Sequence, residues 1–420
     1  MLALLERYKD VFSKRLSAAK PAAVKPMTME VDYEAFKADR RSREPTRAQT
    51  AARRRAVKGF MQQAIADKIV RQSDATAWSQ LMMTPKPNGS WRFAIDYRAI
   101  NKYTKAMRAL IPNIQKLLNT IGANRPKMFA KMDFTSGFYQ LPLDESCMKY
   151  TAFATEEGIF EFTRPSMGLL NSPWYFQSTM ERDVFPDLIG RIMAVYIDDL
   201  LTWAKDIDEL CHNLEKILTI CREKGLYLHP EKCEFGLTEV EFVGHLIDET
   251  GMTFTSKKLE EVAEMPLPDT KGKLKSFLGP GNFFHRQVMD YATLAQPLND
   301  MLPNYQKRQA KETLVWLPEQ AERFKTLQSA IVNCRRIHYE IPGAPIRVYT
   351  DASDYGIGAY LSQAMKDGTE VPIEFISKTL TKTERRWSTY EKEAFAIFYA
   401  LRKWEHHLRD VKFTLFTDQR

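Results

Sequence analysis

Ala194-Val195-Tyr196-Ile197-Asp198-Asp199-Leu200-Leu201-Thr202-Trp203 sets two adjacent carboxylates between two apolar runs, each of which reads as a short buried strand. Neighbouring side chains of a straight strand point to opposite faces, so Asp198 and Asp199 share a site only if the chain turns between the runs. A tight hairpin with the acids at its tip achieves that. An Asp-Asp pair is also ordinary turn chemistry, so its meaning depends on what the rest of the chain brings beside it. Carboxylates in an apolar frame are costly without a compensating cation. Mg²⁺, which takes oxygen ligands, is the natural one.

Working outward, Lys127-Met128-Phe129-Ala130-Lys131-Met132-Asp133-Phe134 reads as a strand ending in a carboxylate, followed at Thr135-Ser136-Gly137-Phe138-Tyr139-Gln140 by a helix start with two aromatics. Ser172 as N-cap and Pro173 as first helical residue open a helix through Trp174, Phe176 and Met180. From Asp206, Leu210, Leu214, Ile217, Leu218 and Cys221 share one helical face, and Gly225 ends the helix. Strands follow at residues 226–228 and 240–246. Strand, helix, hairpin, helix and strand make a split βαβ sheet backed by helices, which brings Asp133 to Asp198 and Asp199.

Upstream, Phe60, Ala64, Ile65 and Ile69 at helical spacing predict a helix from about Lys58 to Gln72. Residues 81–84 and 91–96 flank Pro85-Lys86-Pro87-Asn88-Gly89-Ser90 as a hairpin. Lys86 and Arg92 on this hairpin are suited to clamp a triphosphate. Thr151-Phe153 and Ile159-Phe162 form a second hairpin.

Downstream, residues 256–304 read as basic amphipathic helices, and Leu314-Val315-Trp316 as a strand leading into a helix. A further domain opens near Ala344. It has a strand ending at Asp351, returning strands at 356–361 and 371–376, and a helix from Ser388 to Leu408. Ala394, Ile397, Phe398, Leu401, Trp404 and Leu408 are expected inward on that helix. A final strand ends at Asp418. Glu393 lies four residues before Ile397 and faces the sheet, so Asp351, Glu393 and Asp418 aim at one sheet edge. Carboxylates at strand ends, in two regions of one chain, point to two-metal sites.

The chain has 420 residues, enough for two to four domains, with 44% hydrophobic and 27% charged content. No apolar run reaches the ~18 to 20 residues of a membrane span. Five scattered cysteines without a CxxC pair suit reduced core thiols, placing the chain inside the cell. The net charge of +8 is concentrated in the first 60 residues, which hold 15 Lys+Arg against 7 Asp+Glu. The run Arg40, Arg41, Arg43, Arg47, Arg53, Arg54 and Arg55 reads either as phosphate contacts or as a solvated spacer.

In order along the chain stand Gly89-Ser90-Trp91-Arg92, Asp96-Tyr97-Arg98-Ala99-Ile100-Asn101, Met132-Asp133-Phe134-Thr135-Ser136-Gly137-Phe138-Tyr139-Gln140, and Gly168-Leu169-Leu170-Asn171-Ser172-Pro173 with Phe176-Gln177. They continue with Tyr196-Ile197-Asp198-Asp199, Pro230-Glu231-Lys232-Cys233-Glu234-Phe235, Glu241-Phe242-Val243-Gly244-His245, Ser276-Phe277-Leu278-Gly279 and Thr350-Asp351-Ala352-Ser353. The series resembles the reverse transcriptases of LTR retrotransposons, of the gypsy type. The resemblance implies an α+β multidomain fold, a right-hand polymerase with fingers, thumb and a ferredoxin-like palm, followed by an incomplete α/β ribonuclease H-like domain. Implied boundaries are 1–57 (basic N-terminal extension), 58–250 (fingers and palm), 251–310 (thumb), 311–343 (connection) and 344–420 (ribonuclease H-like).

The same resemblance makes Asp133, Asp198 and Asp199 the palm metal ligands, with Asp133 and Asp198 bridging two Mg²⁺ (Mn²⁺ as alternative ion) and Asp199 supporting. Lys86 and Arg92 hold the triphosphate, and Phe138 excludes a 2′-hydroxyl. Met167, Gly168, Tyr196 and Ile197 line the nucleotide pocket, and Phe242, Val243 and Gly244 position the primer end. Asp351, Glu393 and Asp418 correspond to three of four ribonuclease H carboxylates. The fourth is expected beyond Arg420, leaving that activity impaired. Ser166 stands where the family often has proline, and Pro280-Gly281 predicts a kinked thumb helix. Implied partners are RNA or DNA primer-template, RNA-DNA hybrid and dNTPs, without a membrane, in the cytoplasm, retroelement particles or nucleus. The alternative is a decayed retroelement fragment that binds nucleic acid without catalysis.

Overall fold

The computed structural model describes residues 1–16, 20–46, 49–85, 89, 91–107, 112–279 and 281–418. They fall into two units, Met1–Ile121 with Pro126–Val243, and Gly122–Arg125 with Gly244–Arg420.

The first unit contains β1 (Val70–Gln72), β2 (Ser79–Pro85), β3 (Trp91–Asp96), β4 (Met128–Asp133), β5 (Phe153–Thr155), β6 (Gly158–Phe162), β7 (Met193–Tyr196), β8 (Asp199–Ala204), β9 (Glu234–Leu237) and β10 (Glu239–Phe242). Two sheets result, ordered β1-β6-β5-β2-β3 and β7-β8-β4-β9. In the second, β4 and β8 are antiparallel and carry buried apolar side chains, among them Phe129, Ala130, Met132, Leu200 and Leu201. Helix Ile207–Lys224 covers this sheet with Leu210, Leu214, Ile217, Leu218 and Cys221. Its ends follow the sequence: Asp206 accepts the Glu209 N–H, and Gly225 takes the left-handed conformation at φ 71°. This is the split βαβ layout, and it sets the acid-bearing ends of β4 and β8 side by side.

Four local expectations change. The strand expected at 226–228 consists only of isolated bridges at Leu228, and Glu234–Leu237 pairs with β4 instead. The helix expected over 58–72 runs Ala51–Ala66, started by Thr50, whose hydroxyl accepts the Arg53 N–H. Val70–Gln72 instead pair with Phe160–Phe162, so a partner strand overrides the helical spacing. Asn171, not Ser172, is the N-cap of helix Ser172–Thr179. Residues 1–43, read above as an extension, contribute Tyr8, Val11, Met27 and Phe36 to the core of this unit. Their apolar residues lie in two six-residue helices, Leu2–Arg7 and Tyr33–Ala38, and in turns and single bridges such as Phe12 with Leu228 and Met27 with Leu143, all too short to show a sustained period. Of the arginine run, Arg54 pairs with Glu156 at 3.1 Å and Arg53 lies over the Trp91 ring; Arg47 is outside the described residues.

The second unit begins with β11 (His245–Asp248), β12 (Gly251–Phe254) and helices Ser256–Ala263, Lys271–Leu278, Gly281–Phe284, Tyr291–Asn299 and Pro318–Val332. Leu274, Phe277, Leu298, Phe324, Leu327 and Ile331 form their core. β13 (Ile337–His338) pairs with β12. Residues 314–316 are not a strand: Val315 is 83% exposed, and the Trp316 indole donates to the Pro268 carbonyl at 2.6 Å. The kink expected at Pro280-Gly281 falls on Pro280, outside the described residues; separate helices lie on either side.

β14 (Ile346–Ala352), β15 (Gly356–Ala364), β16 (Glu370–Thr379) and β17 (Phe413–Phe416) form a sheet ordered β16-β15-β14-β17, with β17 parallel to β14. Helix Thr389–Lys403 packs on it, started by a reciprocal Ser388–Glu391 capping pair. Its buried face is Lys392, Glu393, Ala396 and Ala400, continued by Trp404. Ala394 and Phe398, expected inward, are exposed, Phe398 at 57%. The stripe is rotated by about one residue, and Glu393 is at its centre.

Candidate active site

Tyr196 and Asp199 face one another across β7 and β8, so Ile197 and Asp198 are the two residues of a tight turn. Ile197 sits at φ 54°, where a β-branched side chain crowds its own backbone at a cost of roughly 1–2 kcal/mol. A single buried side chain holds it there. The Gln177 carbonyl oxygen accepts the Ile197 N–H at 2.7 Å, while its amide donates to the Val195 carbonyl at 3.0 Å and to Glu181 at 2.8 Å.

The β4–β8 register places Asp133 opposite Asp199. Directly opposed residues project from the same face, so Asp133 joins the turn acids. Burial raises the Asp198 carboxyl above the ordinary carboxylate range, and the charges of Asp199 and Asp133 raise it further. Burial also raises Asp199, with Asp133 and Glu241 adding to it and Lys131 and Lys232 opposing. The Lys232 ammonium reaches Asp133 at 2.9 Å but is 57% exposed. One exposed ammonium does not neutralise three carboxylates. An all-oxygen donor set whose members resist ionising together fits a hard divalent cation.

The other limb of the site is held in the same manner. Gln140, 3% exposed, donates to the carbonyls of Thr135 and Tyr227 and accepts the Tyr227 N–H at 2.7 Å. The Thr135 hydroxyl donates to the Ser13 carbonyl at 2.6 Å, so the N-terminal segment braces the chain just after Asp133.

The expected nucleotide contacts are distributed as follows. Arg92 is exposed on β3, opposite Thr84; Lys86 lies outside the described residues. Met167 is 55% exposed beside Gly168, whose φ is 91°. Asn101 fixes that turn, donating to the Gly168 carbonyl at 2.8 Å and accepting the Leu170 N–H at 3.0 Å. Ser166, at the position noted for its missing proline, is buried. Phe138 is 7% exposed with its ring 5.4 Å from that of Phe176, the surroundings of a core aromatic. Tyr196 is half-buried at the end of β7. Phe242 is buried and Val243 turns at φ 49°, closing the first unit; Gly244, at φ 75°, opens the second.

In the second unit Asp351 is exposed near the end of β14, and Asp418 is exposed just beyond β17. Glu393 is 4% exposed; one of its oxygens accepts the Ala352 N–H at 3.1 Å, and the other, Oε2, is buried with no hydrogen-bond partner. Burial raises its carboxyl, the Ala352 N–H opposes this, and the charges of Asp351 and Asp418 add to the rise. The three acids are therefore neighbours, and the orphaned oxygen is suited to a cation.

Gln140, Gln177, Asn101 and Lys232 were given no role by sequence reasoning, although each lies in a quoted motif. The available signal was an amide within an aromatic or apolar segment. A buried amide must find partners, and at a strand–helix junction those partners are backbone groups.

Residues 84–247 match the family model described as reverse transcriptase (RNA-dependent DNA polymerase), and residues 316–415 match that of an RNase H-like domain found in reverse transcriptase. The chain is 34% identical over 345 residues to the retrovirus-related Pol polyprotein from transposon opus of Drosophila melanogaster, covering 80% of this chain and 34% of that protein. It is 26% identical over 421 residues to the transposon Tf2-3 polyprotein of Schizosaccharomyces pombe, covering 99% of this chain and 31% of that protein. The chain thus spans about a third of the length of the curated relatives it matches. Among solved structures, a foamy viral protease-reverse transcriptase in complex with dsDNA is similar at a TM-score of 0.80 and 23% identity, over 98% of this chain and 83% of that one. A form in complex with RNA/DNA hybrid is similar at 0.76 and 22%, over 98% of this chain and 54% of that one. At these identities the structural likeness is one of fold.

Proposed function

Because the chain belongs to the reverse transcriptases carried in LTR-retrotransposon Pol polyproteins, we infer that it is an RNA-directed DNA polymerase, extending a primer on an RNA or DNA template with dNTPs. The observation that carries this reading is the Asp133–Asp198–Asp199 cluster, with Asp133 opposed to Asp199 across β4 and β8 and Asp198 in the turn that buried Gln177 clamps. The three carboxylates are assigned as ligands of two divalent ions, Mg²⁺ in the first instance. Such ions, when bound, lower the pKa of a primer 3′-hydroxyl and neutralise the phosphates of the incoming nucleotide.

The chain's own residues supply the rest. Asp133 and Asp198 would hold the two ions, and Asp199, opposite Asp133 on β8, would support them. Lys232 occupies part of that charge space by its bond to Asp133 and must yield it to a bound ion. Arg92, with Lys86, is assigned to the triphosphate, Met167 and Gly168 to the floor of the nucleotide pocket, and Phe138 to sugar discrimination. Template is read through backbone shape, because copying must tolerate any sequence. Asp351, Glu393 and Asp418 are assigned to a divalent-ion site for the RNA strand of a hybrid, with weak cleavage expected of three carboxylates where the resemblance implies four, and the foamy viral neighbour in complex with RNA/DNA hybrid supports that substrate class.

The test is extension of a DNA primer annealed to an RNA template, with dNTPs and Mg²⁺. The parent chain is expected to give full-length product and Asp198→Asn none. Equal extension by the variant overturns the site assignment, and no extension by either overturns the activity.

A further inference from the structure

His406 and His407 lie in the short helix Glu405–Leu408, which follows helix Thr389–Lys403 across the buried Trp404. Their ring centroids are 4.1 Å apart. One donor atom from each histidine and a carboxylate oxygen of Glu374, on β16, all fall within 4.8 Å of one another. None of the three belongs to the acid sites already described. The donor chemistry differs as well, two imidazoles and a carboxylate where those sites offer oxygen alone.

The surroundings orient each donor. The Glu340 carboxylate, just beyond β13, lies 2.7 Å from His407 Nδ1. With Glu340 as acceptor the neutral ring carries its proton on Nδ1, which leaves the Nε2 lone pair facing Glu374 Oε2 at 3.9 Å. A carboxylate that accepts the remote N–H of a histidine is the usual outer partner of a metal-ligating imidazole, because it fixes the ring and raises its basicity. Glu374 is positioned from its other side. Arg286 pairs with Oε1 at 2.9 Å, and the Trp404 indole N–H donates to Oε2 at 3.2 Å. Arg286 is pinned in turn, since its carbonyl accepts the Phe375 N–H at 3.3 Å. A carboxylate oxygen accepts more than one partner, so Oε2 can take an ion beside the indole. Glu340 and Glu374 against Arg286 alone leave one negative charge uncompensated when both rings are neutral. His406 is exposed, which gives an ion a route in.

We propose that Glu374, His406 and His407 form a zinc-class metal site, with Glu340 as the outer partner of His407. Imidazole donors suit Zn²⁺ or a similar transition ion, whereas Mg²⁺ prefers oxygen. Zn²⁺ takes histidine nitrogens at ~2.0–2.1 Å and carboxylate oxygens at ~2.0–2.2 Å, so small side-chain rotations close the present spacing. Three protein ligands leave a fourth position for water. The ion ties helix Glu405–Leu408 to β16, the outermost strand of its sheet, and through Glu340 to the segment between β13 and β14. The competing arrangement is a metal-free ion pair, in which a protonated His407 bridges Glu340 and Glu374.

The test is a titration of the full, untagged chain, stripped with a chelator and held in excess Mg²⁺ so that the all-oxygen sites are filled. Zn²⁺ binding is followed by calorimetry, and Co²⁺ binding by the visible absorption of a nitrogen–oxygen site. The proposal expects a single Zn²⁺ per chain, displacement of the Co²⁺ band by Zn²⁺, and a higher melting temperature with Zn²⁺ than without. His406→Gln, at an exposed position, is expected to lose the Co²⁺ band. Glu340→Gln is expected to keep it while weakening Zn²⁺ binding by about 10- to 100-fold. Melting without Zn²⁺ checks that each variant is folded. A parent chain that Zn²⁺ neither binds nor stabilises overturns the proposal in favour of the ion pair. Zn²⁺ affinity in His406→Gln equal to that of the parent overturns it too, and equal affinity in Glu340→Gln overturns the part given to Glu340.

Discussion

Replacing Gln177 by methionine keeps the volume of the side chain and removes its hydrogen bonds. Two of the groups it serves, the Ile197 N–H and the Val195 carbonyl, lie at the hairpin itself. Gln177 is 1% exposed, so water does not readily replace it. Leaving buried groups unpaired costs ~1–3 kcal/mol each, which puts Gln177→Met at about 2–6 kcal/mol of stability. The catalytic consequence is separate from the stability loss. The Ile197 conformation at φ 54° is disfavoured by about 1–2 kcal/mol, and without the Gln177 oxygen the turn relaxes toward an ordinary backbone. Asp198 is the next residue, and a displacement of about 1 Å costs roughly 10²-fold in rate. Single-turnover incorporation of one dNTP, measured beside urea unfolding, separates the two effects. The expected result is a drop in rate of about two orders of magnitude with little change in dNTP affinity, at temperatures where the variant is folded. A variant that loses stability but incorporates at the parent rate refutes the positioning role of Gln177. One that loses neither refutes the hydrogen-bond account altogether.

Burial raises the Asp198 and Asp199 carboxyls, and the charges of neighbouring acids, Asp133 among them, raise both further. Their protonated forms therefore favour the fold below the ordinary carboxylate range, and that contribution is lost as pH rises through the raised values. Without divalent ions Asp198→Asn should melt above the parent near neutral pH; the difference should vanish in acid and reverse when Mg²⁺ is added, as followed by scanning calorimetry. Arg92→Ala removes a charge-assisted phosphate contact worth ~1.5–3 kcal/mol, so KM for dNTP should rise by about tenfold or more with kcat little changed in steady-state extension. Phe138→Ala should cost ~3–5 kcal/mol, because the ring packs on Phe176, and should also admit ribonucleotides; unchanged sugar selectivity in a dNTP/rNTP competition assay removes its gating role.

The acid-bearing architecture was legible because its signals are local. The apolar runs around Asp198-Asp199, the strand ending in Asp133 and the helix from Asp206 to Gly225 each carry their own period, cap or breaker. What escaped depends on long-range partners. Val70–Gln72 follow a helical pattern until β6 supplies a strand. Residues 1–43 bury Met27 from a single bridge and Phe36 from a six-residue helix, both too short to carry a repeat. On the helix of the ribonuclease H-like domain, the apolar character of Ala394 and Phe398 points inward, but both are exposed. The sheet instead selects Glu393, Ala396 and Ala400. Gln140 and Gln177 were invisible for a different reason: their function is to satisfy backbone groups of other strands, which no single segment reveals. The Glu374–His406–His407 cluster is the extreme case, since the adjacent histidines carry no metal-ligand spacing of their own and Glu374 comes from a strand remote in sequence.

The central claim is that Asp133, Asp198 and Asp199 together hold divalent ions for nucleotidyl transfer. Its most direct measurement is single-nucleotide incorporation on an RNA template across a Mg²⁺ titration, for the parent chain and for Asp133→Asn, Asp198→Asn and Asp199→Asn. Incorporation by the parent should be absent without Mg²⁺ and saturate with it. Asp133→Asn and Asp198→Asn should show none at any concentration, with a residual rate in Asp199→Asn. Incorporation by the parent in the presence of a chelator, or Mg²⁺ saturation unchanged in Asp133→Asn or Asp198→Asn, contradicts the account.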